Sequence, residues 1–319
     1  MSTSTRPLFL FGVTFIFTVA IGFLQYFNSN ITYSQEQHRA PVNTPQQPHL
    51  QTDVYPTEQP EVRVVVAVLT CFKNRKKTDA IIKTWGKRVK VVFFASKPHK
   101  DFVPPDNLKF KMPKDTVYLD VPEGRSNLSE KTSEAFRYLY KNYKNKADWF
   151  MKADDDTYVI VENLRLFLSK QNSSEPVLFG HKFTPHVQQG YMAGGAGYVL
   201  SREALSRLHK DMSSAQPICK WWGCCEDVDL AQCMANIGVS ANDTGDLLGQ
   251  SRFNPFDPTR ILLGPMPEWL PMFDKQIQDG YAGIGPDYMS SKSITFHYME
   301  PKDMFLIDFY LYKLRVHRK

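Results

Sequence analysis

The hydrophobic pattern divides the chain into three parts. From Leu8 to Phe27 (LFLFGVTFIFTVAIGFLQYF) there is no charged residue, and only Thr14, Thr18 and Gln25 interrupt the apolar side chains. About 20 helical residues at 1.5 Å each span the ~30 Å hydrocarbon layer of a bilayer, so this run predicts a membrane helix. The alternative is a cleaved signal peptide. Its apolar core is ordinarily about 7–15 residues long, shorter than this run, and only Ala20-Ile21-Gly22 resembles a cleavage site. Arg6 and the terminal amine lie on the short side. The positive-inside rule therefore makes residues 1–7 a cytosolic tail and places everything after Phe27 in the lumen. Residues 28–60 are rich in Gln, Pro and Thr and poor in large aliphatics. They cannot bury enough apolar area to offset the ordering of their backbone, and they read as a luminal stem.

Residues 61–319 alternate strand and helix patterns and form the expected catalytic domain. Val62 to Thr70 is an almost continuous β-branched run, suited to a strand covered on both faces. Thr78, Ile81, Ile82 and Trp85 fall at helical spacing, Val89 to Ala95 gives a second buried strand, and Thr116 to Val121 a third. Asn127-Leu-Ser-Glu130 resembles a capping box ahead of a helix with Phe136, Leu139, Tyr140 and Tyr143 on one face. Asp148 to Ala153 is a strand that runs into Asp154-Asp155-Asp156, and a helix with Ile160, Leu164, Phe167 and Leu168 inward follows. The alternation predicts an α/β fold with an open, mostly parallel twisted sheet flanked by helices. In such sheets ligands bind beyond the carboxyl ends of the strands, where the three aspartates lie.

Composition narrows the class. The 319 residues are 42% hydrophobic and 23% charged, enough for a real core, and a mean hydropathy of −0.37 excludes a multi-span membrane protein. The net charge of +6 is spread along the chain, with Lys73 to Lys77 read as a solvated loop, so no nucleic-acid partner is expected. Of the five cysteines, Cys219, Cys224, Cys225 and Cys233 crowd together, and Cys71 stands apart. Two separated CxxC pairs and a nearby histidine are missing, so local disulfide bonding is favoured over zinc. An odd count leaves one cysteine unpaired or bridging to a second chain, which keeps a homodimer open. Asn30, Asn127, Asn172 and Asn242 begin N-x-Ser/Thr triplets, in keeping with a luminal chain.

Three adjacent aspartates repel one another unless a cation compensates, and their hard oxygens suit Mg²⁺ or Mn²⁺ beside substrate phosphates. The bland alternative is a solvated turn or a helix N-cap by Asp156. A second acidic cluster, Glu226-Asp227-x-Asp229, opens a helix pattern closed by Gly238. There the macrodipole favours carboxylates without any functional reason, yet a weak base still serves when its proton becomes acidic only in the transition state. Gly190 to Gly197 (GYMAGGAG) lacks a phosphate-loop pattern and suits close approach of backbone to a sugar. Ser293 to Met299 alternates like a strand and presents His297, alone an ordinary histidine.

Together these motifs carry a resemblance. ADWFMKADDDTYVIVENLRLFL from Ala147, Phe179-Gly180, GYMAGGAGYVL from Gly190, Glu226-Asp227-Val228 with Cys233-Met234, and Phe296-His297-Tyr298 resemble, in order, the Fringe-like β1,3-glycosyltransferases, nearest to their core 1 β1,3-galactosyltransferase branch. The resemblance covers about Val62 to Arg315. It implies a GT-A fold, UDP-galactose as donor, O-linked GalNAc on glycoproteins as acceptor, Mn²⁺ as cofactor, and a single-pass type II Golgi membrane protein. Within it, Asp154 to Asp156 match the DxD motif. Asp154 then lies near the nucleotide sugar and joins the metal site, Asp156 binds the metal and His297 supplies another ligand. Asp227 matches the general base, with Glu226 beside it. Glu123, Arg125 and Lys131, with Asp154, Asp155, Gly194 and Gly195, fall on the donor side. Tyr191, Trp269 and Tyr298 fall on the acceptor side, and Cys219 and Cys233 keep the spacing of a family disulfide.

The departures lie elsewhere. Val89 stands where relatives carry a cysteine, residues 283–289 replace a Cys-Cys pair, and Glu268 to Phe273 replaces an aromatic-rich acceptor segment. Two rival readings are a catalytically silent folding partner of such a transferase and a Fringe-type enzyme with another donor or acceptor. The first conflicts with the intact acidic motifs.

Overall fold

The computed structural model describes residues 62–98, 111–221, 225–280 and 285–315. The membrane helix expected over 8–27, the stem over 28–60, Cys224, and residues 283 and 284 lie outside the described residues. Among those described, no helix is long and apolar enough to cross a membrane.

The strands are β1 (Val64–Leu69), β2 (Lys90–Ser96), β3 (Val117–Leu119), β4 (Trp149–Asp154), β5 (Tyr158–Val159) and β6 (Val177–Gly180). They continue as β7 (Lys182–Phe183), β8 (Tyr191–Met192), β9 (Tyr198–Ser201), β10 (Ser240–Asn242), β11 (Phe253–Asn254) and β12 (Thr295–Phe296). Seven of them form the main sheet in the order β10-β6-β9-β4-β1-β2-β3. Its pairings are parallel except where β9 lies antiparallel between β4 and β6. The expected α/β architecture with a mostly parallel sheet holds.

All six residues of β1 are buried because successive side chains enter different cores. Val64, Val66 and Val68 join Ile81, Trp85 and Met151 on one face. Val65, Ala67 and Leu69 join Phe136, Leu139 and Phe150 on the other. Each fully buried aliphatic contributes roughly 1.5–3 kcal/mol, so this strand pins both layers. The register sets Val64 beside Trp149 and Leu69 beside Asp154, which brings the acidic turn to the carboxyl end of the sheet.

Three local expectations fail. Ile82 is 43% exposed, because the helix Arg75–Lys83 turns only Thr78, Ala80 and Ile81 inward. Asn127 precedes the helix Leu128–Tyr143 but makes no side-chain cap. Asp156 is no helix cap either, since β5 intervenes and Ile160 holds the cap position of Val161–Leu168. The strand expected over 293–299 shortens to β12, which pairs in parallel with β11 and antiparallel with β5. The disulfide Cys219–Cys233 is formed and buried, as the family spacing implies.

Candidate active site

The acidic turn and His297 meet because of β5. That strand follows the turn directly, and Phe296 pairs with Tyr158 while Thr295 pairs with Val159. The Met299 N–H then donates to the Asp156 carbonyl at 2.9 Å, closing the approach. Ligand atoms from Asp154, Asp156 and His297 all lie within 4.8 Å of one another, the single such triad of acids, histidines or cysteines among the described residues. His297 Nε2 stands 3.3 Å from Asp156 Oδ1. Its Nδ1 is 3.3 Å from the Pro255 carbonyl, so with a proton kept on Nδ1 the ring would offer its Nε2 lone pair to a metal once the Nε2 proton shared with Asp156 has left. Two carboxylates and one imidazole fit a divalent ion that accepts nitrogen as well as oxygen, as Mn²⁺ does.

The glycine-rich stretch separates the two halves of the site. A Cβ on Gly195 would sit 1.9 Å from the His297 ring, and one on Gly194 would sit 3.0 Å from Glu226 Oε2. Any larger residue would push the histidine or the second acidic cluster out of place. The Gly194 N–H donates to Asp227 Oδ2 at 3.0 Å, and the Val228 N–H to Oδ1 at 3.0 Å. These bonds orient the half-buried Asp227 at the start of the helix Glu226–Asn236. Glu226 is buried, accepts from the Tyr198 hydroxyl, and lies 3.3 Å from the Lys152 ammonium. Asp229 turns away, accepting from Ser129 Oγ at 2.6 Å, and joins two helices.

Three residues missed in the sequence complete the electrostatics. Lys152 bridges Asp154 Oδ1 at 2.9 Å and Glu226, and donates to the Gly194 carbonyl at 3.1 Å. Burial opposes its charge, but Asp154 and Glu226 outweigh burial and raise its pKa. Lys77, expected in a solvated loop, lies instead in a helix with its ammonium 3.0 Å from Asp156 Oδ2. Burial alone would lift the Asp156 carboxyl; the bond and charge of His297, with Lys77, override it and hold Asp156 well below the usual range. Burial, with the Asp227 charge, pushes Glu226 up against the pull of Lys152. Tyr198 is the third, buried against Glu226. A charged residue within an otherwise apolar strand before three acids was the available signal for Lys152.

The remaining expected site residues fall into two groups. Asp155 does not join the triad, since Thr70 Oγ1 donates to it at 2.7 Å and Asn74 Nδ2 at 3.2 Å. Burial pushes it up to about 6 despite those bonds and Lys77. Lys131 pairs with Glu123 at 3.1 Å and donates to the Thr70 carbonyl at 2.7 Å, so it ties the 123–131 stretch to the end of β1, with Arg125 exposed nearby. On the other side, rings run outward from the histidine. His297 stacks on Tyr298 at 3.8 Å, Tyr298 lies 6.2 Å from Phe256, and Phe256 lies 6.1 Å from Trp269. Trp269 meets Phe183 and Phe273 edge-on, and Phe183 packs on Tyr191. Trp269 and Tyr298 are 40% and 54% exposed, whereas Tyr191 is 7% exposed and backs the wall. Burial, then the charge of nearby Asp227, pushes the Tyr191 phenol up to about 12.

The segment carrying Trp269 and Phe273 is fastened from below. His181 and Asp274 are fully buried with Nε2 and Oδ2 2.9 Å apart, and the Tyr288 hydroxyl donates to the same oxygen at 2.7 Å. His181 Nδ1 is 3.0 Å from Ser251 Oγ, whose proton goes to the Phe253 carbonyl, so this is a brace and not a nucleophile. Asp274 Oδ1 also accepts from the Gln276 N–H at 2.9 Å.

Sheet, acidic turn and carboxylate-bearing helix start are together those of a glycosyltransferase. The chain belongs to the Fringe-like family, whose model matches residues 59–248. It is 37% identical over 258 residues to glycoprotein-N-acetylgalactosamine 3-beta-galactosyltransferase 1 of Xenopus laevis, covering 81% of this chain and 68% of that one. It is 29% identical over 180 residues to the beta-1,3-glucosyltransferase of Mus musculus, covering 55% of this chain and 34% of that one. Among solved structures, a glycosyltransferase involved in glycosylation of the major capsid of PBCV-1 aligns at a TM-score of 0.39 and 11% identity, over 77% of this chain and 98% of that one.

Proposed function

We propose that the chain is an inverting GT-A galactosyltransferase that moves galactose from UDP-galactose to the 3-hydroxyl of O-linked GalNAc on glycoproteins, forming the core 1 glycan. The carrying observation is the glycine pair. Gly194 backs onto Glu226 and Asp227 and Gly195 onto His297, so two adjacent glycines bring the carboxylate offered as base and the metal-ligand set to one stretch of backbone. The Xenopus relative is, by its name, a 3-beta-galactosyltransferase that acts on glycoprotein N-acetylgalactosamine. Asp156, His297 and Asp154 would hold Mn²⁺, which when bound supplies a Lewis acid that neutralises charge on the departing UDP.

Asp227 orients the acceptor hydroxyl and takes its proton as the hydroxyl oxygen attacks C1 of galactose. The bond between C1 and the phosphate oxygen breaks on the opposite face, and UDP leaves with that electron pair. The two backbone N–H groups on Asp227 fix its direction, and Glu226, Lys152 and Tyr198 hold the helix start that carries it. Residues 8–27 would anchor the chain in the Golgi membrane, with residues 28–60 as stem and the catalytic unit luminal.

The test is a transfer assay with the full-length chain in detergent and Mn²⁺, using an α-GalNAc peptide and a panel of UDP-sugars. Galactosylated peptide with inverted anomeric configuration is the expected product. Transfer of glucose or GlcNAc instead would reassign the donor, and UDP binding without any transfer would favour the folding-partner reading.

A further inference from the structure

His186 lies in the loop between β7 and β8. Its backbone is left-handed, φ 69°, and the Val187 N–H donates across it to the Pro185 carbonyl at 2.9 Å, a three-residue turn with positive φ at its centre. Such geometry is uncommon outside glycine. It persists where neighbours impose it, and it gathers at binding sites. Among the described residues one other non-glycine residue shares it, Tyr298, which stacks on His297. Both left-handed side chains thus belong to one wall of rings.

The grip on His186 comes from the acceptor side. Its ring lies 6.0 Å from Tyr191 and 5.8 Å from Phe273, which closes a circuit through Trp269 and Phe183. The Thr184 N–H donates to the Phe273 carbonyl at 2.6 Å and ties the loop to that segment. His186 is nevertheless exposed, and among the described residues neither ring nitrogen has a hydrogen-bond or ion-pair partner. Backbone strain, a packed ring edge and unengaged nitrogens together describe a group held ready for a ligand.

Resting on the acceptor side of the proposed reaction, we propose that His186 is an acceptor-specificity residue. Its imidazole hydrogen-bonds an amide or hydroxyl of the GalNAc-bearing acceptor, while the exposed Trp269 takes the apolar face of the sugar.

Full-length wild type, His186→Phe and His186→Asn separate this role from a structural one. Phenylalanine keeps the ring contacts and loses the nitrogens; asparagine tolerates the left-handed backbone and keeps a hydrogen-bonding amide. The expected result for His186→Phe is an acceptor KM raised about tenfold, the scale of one hydrogen bond. The UDP-galactose KM should stay within about twofold, with partial recovery in His186→Asn. A rise seen with both benzyl α-GalNAc and a GalNAc peptide assigns the contact to the sugar, and a rise with the peptide alone assigns it to the polypeptide. An acceptor KM unmoved by His186→Phe, or an equal rise in the UDP-galactose KM, overturns the inference. Wild type that galactosylates neither acceptor overturns the functional reading beneath it; active wild type with an unmoved variant overturns this inference alone.

Discussion

Lys152 reaches out of β4 to set its ammonium 3.3 Å from Glu226 Oε2, joining the strand that ends in the acidic turn to the helix that begins with the candidate base. Both side chains are buried. Removing one partner leaves an uncompensated charge, so Lys152→Met should cost about 3–5 kcal/mol of stability. Lys152→Met combined with Glu226→Gln should lose less than the sum of the singles. Chemical-denaturation midpoints across that double-mutant cycle give the coupling, and strictly additive values would refute it.

Gly195 offers a test of the metal corner that leaves every charge in place. Gly195→Ala puts a methyl into the imidazole of His297, which is already held by Pro255 and Tyr298. Mn²⁺ binding, followed by the loss of its free-ion EPR signal, should weaken at least tenfold, and equally so in Asp156→Ala, because each variant removes one strong ligand. An unchanged binding curve for both variants would move the metal elsewhere.

Asp227 and Glu226 are neighbours with separable roles. If Asp227 takes the acceptor proton, Asp227→Asn should lower kcat by about 10²–10⁴ with UDP binding intact. Glu226→Gln should act mainly on thermal stability, since that side chain faces Tyr198 and Lys152. Calorimetry with UDP alongside single-turnover rates distinguishes the two, and a normal kcat in Asp227→Asn would remove Asp227 from the mechanism.

The brace beneath the acceptor segment should respond to acid. Burial would raise the Asp274 carboxyl, but the charge and bond of His181, with the Tyr288 hydroxyl and the Ile277 N–H, hold it below its ordinary value. A carboxyl depressed on folding stabilises above its unfolded pKa of about 4 and loses that contribution as pH falls through the lower folded value. The melting-temperature gap between wild type and Asp274→Asn should therefore be widest near neutrality and close as pH drops below about 4. A gap that does not change from pH 7 to 3 would show that Asp274 is not ionised in the brace.

The strands and the acidic turn were readable along the chain because each rests on contiguous residues. A β-branched run marks β1, and three aspartates at the end of β4 mark the turn. The missing parts depend on pairings that only the fold brings together. Lys77 sits in a basic run that looks like any solvated loop, yet it neutralises Asp156. Asp155 falls on the donor side by the resemblance, but successive residues in a turn point different ways, and Thr70 with Asn74 claims its carboxylate. His181, Asp274 and Tyr288 carry no spacing signal, since their association follows from the fold bringing Asp274 back beside β7, where it bridges Phe183.

The register of β1 against β4 also fixes the direction of the molecule. Val64 pairs with Trp149 and Leu69 with Asp154, so the chain enters the sheet about 20 Å from the acidic turn, at six residues and ~3.3 Å each. The start of β1 therefore lies at the opposite end of the sheet from the acidic turn.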